Sequence, residues 1–285
     1  MLKKLLNLPE SVTDQRLREV CEEFDAHVFP KVRVADVLKI ERSGISDELY
    51  RYALQAHFDF VVSDSGHQPL FAVEFDGPTH SEPDAKRRDK MKNELCERFE
   101  FSLLRVNRRY LSADFSNWDL LRWFCTVFFV KQAWDRDVES GKIPYEDSVF
   151  DPMFVSVKTK SGWRSLELER TARAKLSALF QAGEIPFHIP NWITARDGDR
   201  CLRAIACIAT SKDQGVICET AMQHHSLGGW VQFAVRGIVL SQLVSHVEAF
   251  LDDRGEALPL SQIESQMEEF KTSYEPIMSF GVVSS

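Results

Sequence analysis

Apolar residues recur along this chain in two rhythms. At helical spacing, Leu17, Val20, Cys21 and Phe24 follow Ser11 and Thr13, either of which can cap, so residues 13–25 are expected to form a helix. Val28, Val32 and Val34 then alternate as in a strand, with Pro30 near its start or on an edge. Residues 41–48 carry Ser43, Gly44 and Ser46 and are expected as a loop, with a short helical turn over 47–55. FDFVV is a strand, SDSGHQP a turn punctuated by Gly66 and Pro69, and LFAVEFD a second strand broken by Gly77-Pro78. Residues 84–99 form a helix with Met91, Leu95, Cys96 and Phe99 on its buried side, and FSLLRV is again a strand. Residues 117–137 make a long helix whose Trp118, Trp123, Phe124, Phe128 and Trp134 belong to a core or a domain interface.

The pattern then weakens over 136–152, which is taken as a linker between a first domain, 1–135, and a second, 153–285. The second half opens with a hairpin turning at Lys160-Ser161-Gly162. A helix over 169–182 closes at Gly183, with Pro186 just beyond. Three strands follow (192–195, 201–211, 216–221), then helices over 230–251 and 261–274. Helix, three strands, helix is the order of a double-stranded-RNA-binding domain. The resemblance is topological only, because the last helix opens SLGGWVQF and lacks a lysine-rich turn for phosphates. The fold class is α/β (α+β).

Composition narrows the function classes modestly. With 285 residues there is ample core, and 44% hydrophobic and 27% charged residues are those of a soluble globular protein. The six cysteines are scattered without a CxxC, as free thiols in a reducing, cytoplasmic setting would be. The longest apolar stretch noted, Leu120–Val130, is interrupted by Arg122, and neither a signal peptide nor a membrane span is expected. A net charge of −8 disfavours bulk coating of nucleic acid, though not a local basic surface.

Chemistry concentrates between His57 and Val106. Strand residues two apart share a face, so Glu74 and Asp76 point the same way, and Asp59 sits inside a neighbouring apolar strand. Carboxylates so placed suit a hard divalent cation, although an acid pair at a strand end is often just an exposed edge. His80 follows Gly77 by three residues and can act as general acid or base, or bind a phosphate. Lys92 shares a helix stripe with Arg88, Leu95 and Phe99, so it faces the sheet. Lys86, Arg87 and Lys90 spread to the outer side, and Lys31 and Arg33 interleave with the earlier strand. All five are candidates for a phosphate backbone, and for Lys86, Arg87 and Lys90 a solvated helix face is equally open. Asp14 and Glu19, on the first helix, either lean towards the carboxylates or are solvated. The His224-His225 pair is taken as loop surface.

The segments FPKVRVADV, DFVV, VEFDGPTH, DKMK and LLRV stand in that order within about residues 10–110. In wording and order they resemble the PD-(D/E)XK nuclease superfamily. The branch is the one related to the very-short-patch-repair endonuclease and to a bacterial domain family of unknown function. The resemblance implies a restriction-endonuclease-like αβββαβ core followed by a second α+β domain. It also implies hydrolysis of a nucleic-acid phosphodiester, DNA before RNA, using Mg²⁺ or Mn²⁺ held by Asp59, Glu74 and Asp76. Where the superfamily has its lysine this chain has Asp76, so Lys92 and His80 are expected to take over that role. Defence against foreign DNA, such as phage DNA, fits by analogy, and a homodimer or a partner protein held by the second half is compatible. The alternative is an inactive nuclease fold serving as a nucleic-acid-binding or docking module.

Overall fold

The computed structural model describes residues 4–76, 83–112, 115, 118–160, 162–198, 201–223 and 227–281. The chain runs α1 (Leu8–Glu23), β1 (His27–Arg33), α2 (Val34–Val37), α3 (Asp47–Gln55), β2 (His57–Ser63), β3 (Pro69–Phe75), α4 (Pro83–Arg98) and β4 (Ser102–Val106). α5 (Leu120–Glu139) leads to a hairpin, β5 (Ser156–Thr159) and β6 (Gly162–Ser165). Then come α6 (Arg170–Gln181), β7 (Asn191–Asp197), β8 (Cys201–Ala209), β9 (Gln214–Gln223), α7 (Gln232–Leu251), β10 (Leu258–Pro259), α8 (Leu260–Ser273) and β11 (Glu275–Phe280). The architecture is mixed α and β. The expected order of helix, three strands, helix and strand is present in the first half, with α2 and α3 inserted after β1.

The first sheet has the order β1-β2-β3-β4. β1, β2 and β3 are antiparallel, and β3 pairs in parallel with β4 because α4 carries the chain back across the sheet. Phe60, Val62, Phe71, Val73 and Leu104 turn to one face, under α1 and α5. Val61, Ala72 and Leu103 turn to the other, with Leu49 of α3 and Leu95 and Cys96 of α4. The second sheet has the order β10-β9-β8-β7-β11, with α7 on one face and α8 on the other. The helix, three-strand, helix order of this half is likewise present.

α5 is buried on every side, from Leu120 and Leu121 through Trp123 to Phe129, as suits a helix lying between two apolar surfaces. Phe128 meets Phe71 of β3 at a 4.6 Å ring-centroid separation. On its other side Trp123 meets Trp230 and donates its indole N–H to the Leu166 carbonyl at 2.7 Å. One apolar cluster therefore runs from β2 and β3 through α5 to α7 and β8.

Three sequence expectations need correction. α1 starts at Leu8, capped by Asn7, whose side chain accepts from the Glu10 N–H while Glu10 accepts from the Asn7 N–H. Thr13 is instead inside the helix, its hydroxyl bonded back to the Pro9 carbonyl. Second, no apolar stretch of membrane-spanning length was expected, yet among the described residues one helix, Gly229–Leu251, is long and apolar enough by length and composition. Most of it lies inside the protein, against β8, β9 and α6. Third, β10 and β11 border the second sheet where no strand was expected.

Candidate functional site

Strand register lines up four charges across the first sheet. Pro30 pairs with Phe60 and Val32 with Phe58, which sets Lys31 opposite Asp59. Phe60 pairs with Val73, so the next step brings Asp59 beside Glu74, and Glu74 pairs with Arg105. The result is a transverse row, Lys31–Asp59–Glu74–Arg105, one residue from each strand. Opposite charges on facing strand positions attract. The two central acids repel, and everything around them bears on that repulsion.

The β2–β3 ladder ends at Phe60 and Val73, and beyond it the two carboxylates replace the carbonyls as acceptors. Asp59 Oδ2 accepts the Phe75 N–H at 2.9 Å, and Glu74 Oε1 accepts the Asp59 N–H at 3.1 Å. The remaining oxygens take ammonium groups. Lys31 Nζ donates to Asp59 Oδ1 at 2.7 Å and to Glu10 Oε1 of α1 at 2.8 Å. Lys92 Nζ, from α4, donates to Glu74 Oε2 at 2.7 Å and to the His57 carbonyl at 2.8 Å. Lys31 adopts a left-handed backbone, φ 54°, which for a side-chain-bearing residue costs about 1–2 kcal/mol and here interrupts β1 opposite Asp59.

Glu74 and Lys92 are each 7% exposed. Burial pushes the Glu74 carboxyl above its usual value, Lys92 opposes that, and Asp59 reinforces it. Burial works against the charge on Lys31, but Asp59 and Glu10 outweigh it and hold the ammonium above its usual value. Arg105 behaves alike: desolvation is outweighed by Asp76, Asp89 and Glu74. Across the row and its flanks, five carboxylates (Glu10, Asp59, Glu74, Asp76, Asp89) face three cations (Lys31, Lys92, Arg105).

Of the residues singled out in the sequence, Asp59, Glu74 and Lys92 come together. Asp76, on the same strand face, meets a different cation. Arg105 on the adjacent strand draws it off at 3.1 Å, and the same guanidinium holds Asp89 at 3.1 Å and Asn93 at 3.1 Å. Among the described residues no three His, Cys, Asp or Glu side chains form a ready metal cage. His80 and the His224-His225 pair lie outside the described residues. Lys31 is held inside the row instead of facing outward. Arg33 pairs with Asp36 and Arg87 with Glu48, while Lys86 and Lys90 are exposed on α4. On α1, Asp14 pairs with Arg18 and Glu19 with Arg122, so the helix acid that reaches the row is Glu10. Glu10 escaped notice because its sequence position marks it as a capping residue. Arg105 escaped because only the β3–β4 pairing reveals what it faces.

The row ends at a cavity of about 480 Å³ between the two halves of the molecule. Asp76, Arg105 and Arg109 line it from the first half, and residues of α6, β9 and α7 line it from the second.

Residues 2–115 match a family described as "protein of unknown function (DUF2726)". No curated protein and no solved structure matches the chain. The matched stretch takes in every member of the row, from Glu10 to Arg105, and stops short of α5; over those residues this chain is similar to that family.

Proposed function

We propose that the protein is a Mg²⁺-dependent nuclease acting on nucleic-acid phosphodiesters, DNA before RNA, with a restriction-endonuclease-like core. The observation that carries this is the Lys92 ammonium on Glu74 beside Asp59. Two strand acids and a lysine are the chemical set the superfamily requires, and here the lysine is delivered by the helix instead of by the strand position that Asp76 occupies.

The residues suit Mg²⁺. That ion keeps several waters and is commonly held by one or two carboxylates plus substrate phosphate, so an acid pair suffices without a three-acid cage. Each oxygen of Asp59 and Glu74 accepts one hydrogen bond from the protein and keeps a second lone pair. Asp59 and Glu74 would hold the ion, with Glu10 near Asp59; when bound, it would polarise the phosphoryl oxygen and lower the pKa of water.

This chain's own groups do the rest. Hydrolysis forms a bond from water oxygen to phosphorus, breaks one P–O ester bond and leaves a proton on the departing oxygen. Lys92, fixed by Glu74 and the His57 carbonyl, presents a positive N–H group where negative charge builds on phosphate. Lys86 and Lys90 on the exposed side of α4 offer contacts to flanking phosphates.

A second reading, an inactive module that binds nucleic acid or docks a partner, is favoured by one observation. Lys31 already bridges Glu10 and Asp59 as a cation would. To test the first reading, duplex DNA, single-stranded DNA and RNA are incubated with the protein and Mg²⁺ or Mn²⁺, alongside Asp59→Asn, Glu74→Gln and Lys92→Met. Cleavage lost in all three variants supports the nuclease. Cleavage that survives them sinks the assigned site, and binding without cleavage under every condition supports the module.

A further inference from the structure

The cavity between the two halves is a recess that the carboxylate row does not use. Its floor and walls come from both: Arg109 and Tyr110 follow β4, Thr220 and Met222 stand on β9, and Ile238, Ser241, Gln242 and Ser245 lie along one side of α7. The lining combines three chemistries. Gln223, Gln242 and Asn107 each carry a donor and an acceptor, and Ser241, Ser245 and Thr220 can serve as either. Phe115, Met222 and Ile238 supply apolar faces. Arg109, exposed, adds positive charge at the margin, where Lys175 also stands, paired with Glu248 at 2.9 Å.

Paired donor–acceptor groups beside flat apolar contacts, with cations at the rim, suit a nucleobase with its sugar-phosphate. A volume of about 480 Å³ falls within the range of pockets that enclose a small ligand, and is far too small for a double helix. One end of the recess is Asp76 and Arg105, and Arg105 is the register partner of Glu74. Arg105 therefore borders both the carboxylate row and this recess.

We infer that the second half of the chain completes a pocket for one unstacked nucleotide next to the scissile phosphate, so that the substrate is single-stranded or locally opened there. The inference rests on the nucleic-acid reading of the carboxylate row, and its test is independent of cleavage. The full chain, in chelator so that nothing is cut, is titrated with fluorescent single-stranded oligonucleotides, intact and with one abasic position stepped along the strand. Two variants accompany it. Ser245→Leu adds bulk at an exposed position of the lining and replaces serine with a better helix former, so folding is preserved. Gln242→Ala removes an amide, and circular dichroism checks both folds.

The expected result is that one abasic position weakens binding by about tenfold. Ser245→Leu should weaken the intact strand by a similar factor and leave the abasic strand nearly unchanged. Equal affinities for intact and abasic strands, indifference to both variants, or no binding at all would each overturn the pocket. Cleavage that survives Glu74→Gln while abasic sensitivity persists would sink the catalytic assignment and keep the pocket. Cleavage lost in Glu74→Gln with no abasic sensitivity would keep the nuclease and remove the pocket.

Discussion

Two buried ion pairs, one in each half, differ in what surrounds them. Glu169 and Arg236 in the second half have side chains 3% and 5% exposed and lie 2.5 Å apart. Arg173 adds a second cation to Glu169, the Arg236 guanidinium lies 5.1 Å from the Trp192 ring centroid and 5.0 Å from that of Phe233, and two methionine sulfurs touch it. Its charge is answered locally by Glu169 and cushioned by aromatic faces. Glu74 and Lys92 are nearly as buried, but Glu74 borders a second carboxylate, Asp59, whose side chain is 19% exposed. A pair closed in by aromatic faces reads as a strut. A pair that borders a part-exposed second carboxylate suits the cation proposed above, and burial alone would not have separated the two.

That contrast can be broken from either side. Arg236→Met should cost about 3–5 kcal/mol in urea unfolding, because Glu169 keeps its charge with only Arg173 beside it. Cleavage per folded molecule should stay unchanged. Glu74→Gln should do the reverse: cleavage falls roughly a hundred- to a thousand-fold in single-turnover assays, while stability changes by about 1 kcal/mol or less. The small cost follows from the row, since removing one acid relieves repulsion with Asp59 and Lys92 keeps the His57 carbonyl and the glutamine oxygen as acceptors. If Glu74→Gln unfolds the protein as badly as Arg236→Met, the two pairs are the same kind of feature and the distinction fails.

Titration sharpens the comparison through groups outside both pairs. Burial pushes the thiols of Cys21, in the first half, and Cys218, in the second, up to about 12 from an ordinary 9.0. The folded state therefore keeps protons that the unfolded chain loses. Stability from these thiols is full below pH 9 and is lost as pH rises towards 12, amounting by pH 10 to about 1.4 kcal/mol per thiol. Cys21→Ala and Cys218→Ala should each flatten the alkaline decline measured in denaturant, and to a similar extent if the halves unfold as one. The smallest effect expected is that of Asn7→Ala. Loss of the capping box should lower stability by about 1 kcal/mol, with a minor loss of cleavage because Glu10 is one of its partners.

Much of this was legible in the sequence, for physical reasons that also mark where legibility ended. The i, i+3, i+7 spacing of Lys92, Leu95 and Phe99 placed the lysine towards the sheet, and its ammonium does meet Glu74. Alternation in LFAVEFD put Glu74 and Asp76 on one face. What it did not contain was Arg105, whose parallel pairing across α4 draws Asp76 away, because register between distant strands is set by the whole sheet. Lys31 looked like a surface cation for the same reason. β10 spans two residues and β11 is mostly exposed, so neither carries an alternating apolar signal.

The all-round burial of α5 has a consequence for how such a chain can be inherited. The stretch resembling the family of unknown function ends at 115, and α5, which covers Phe71 and Val73, begins at 120. Recombination at the family boundary would hand on a sheet whose apolar face keeps α1 but loses the cover of α5. A second half can therefore be exchanged only with a replacement for α5, so this helix, more than the sheet it covers, limits which companions the first half can have.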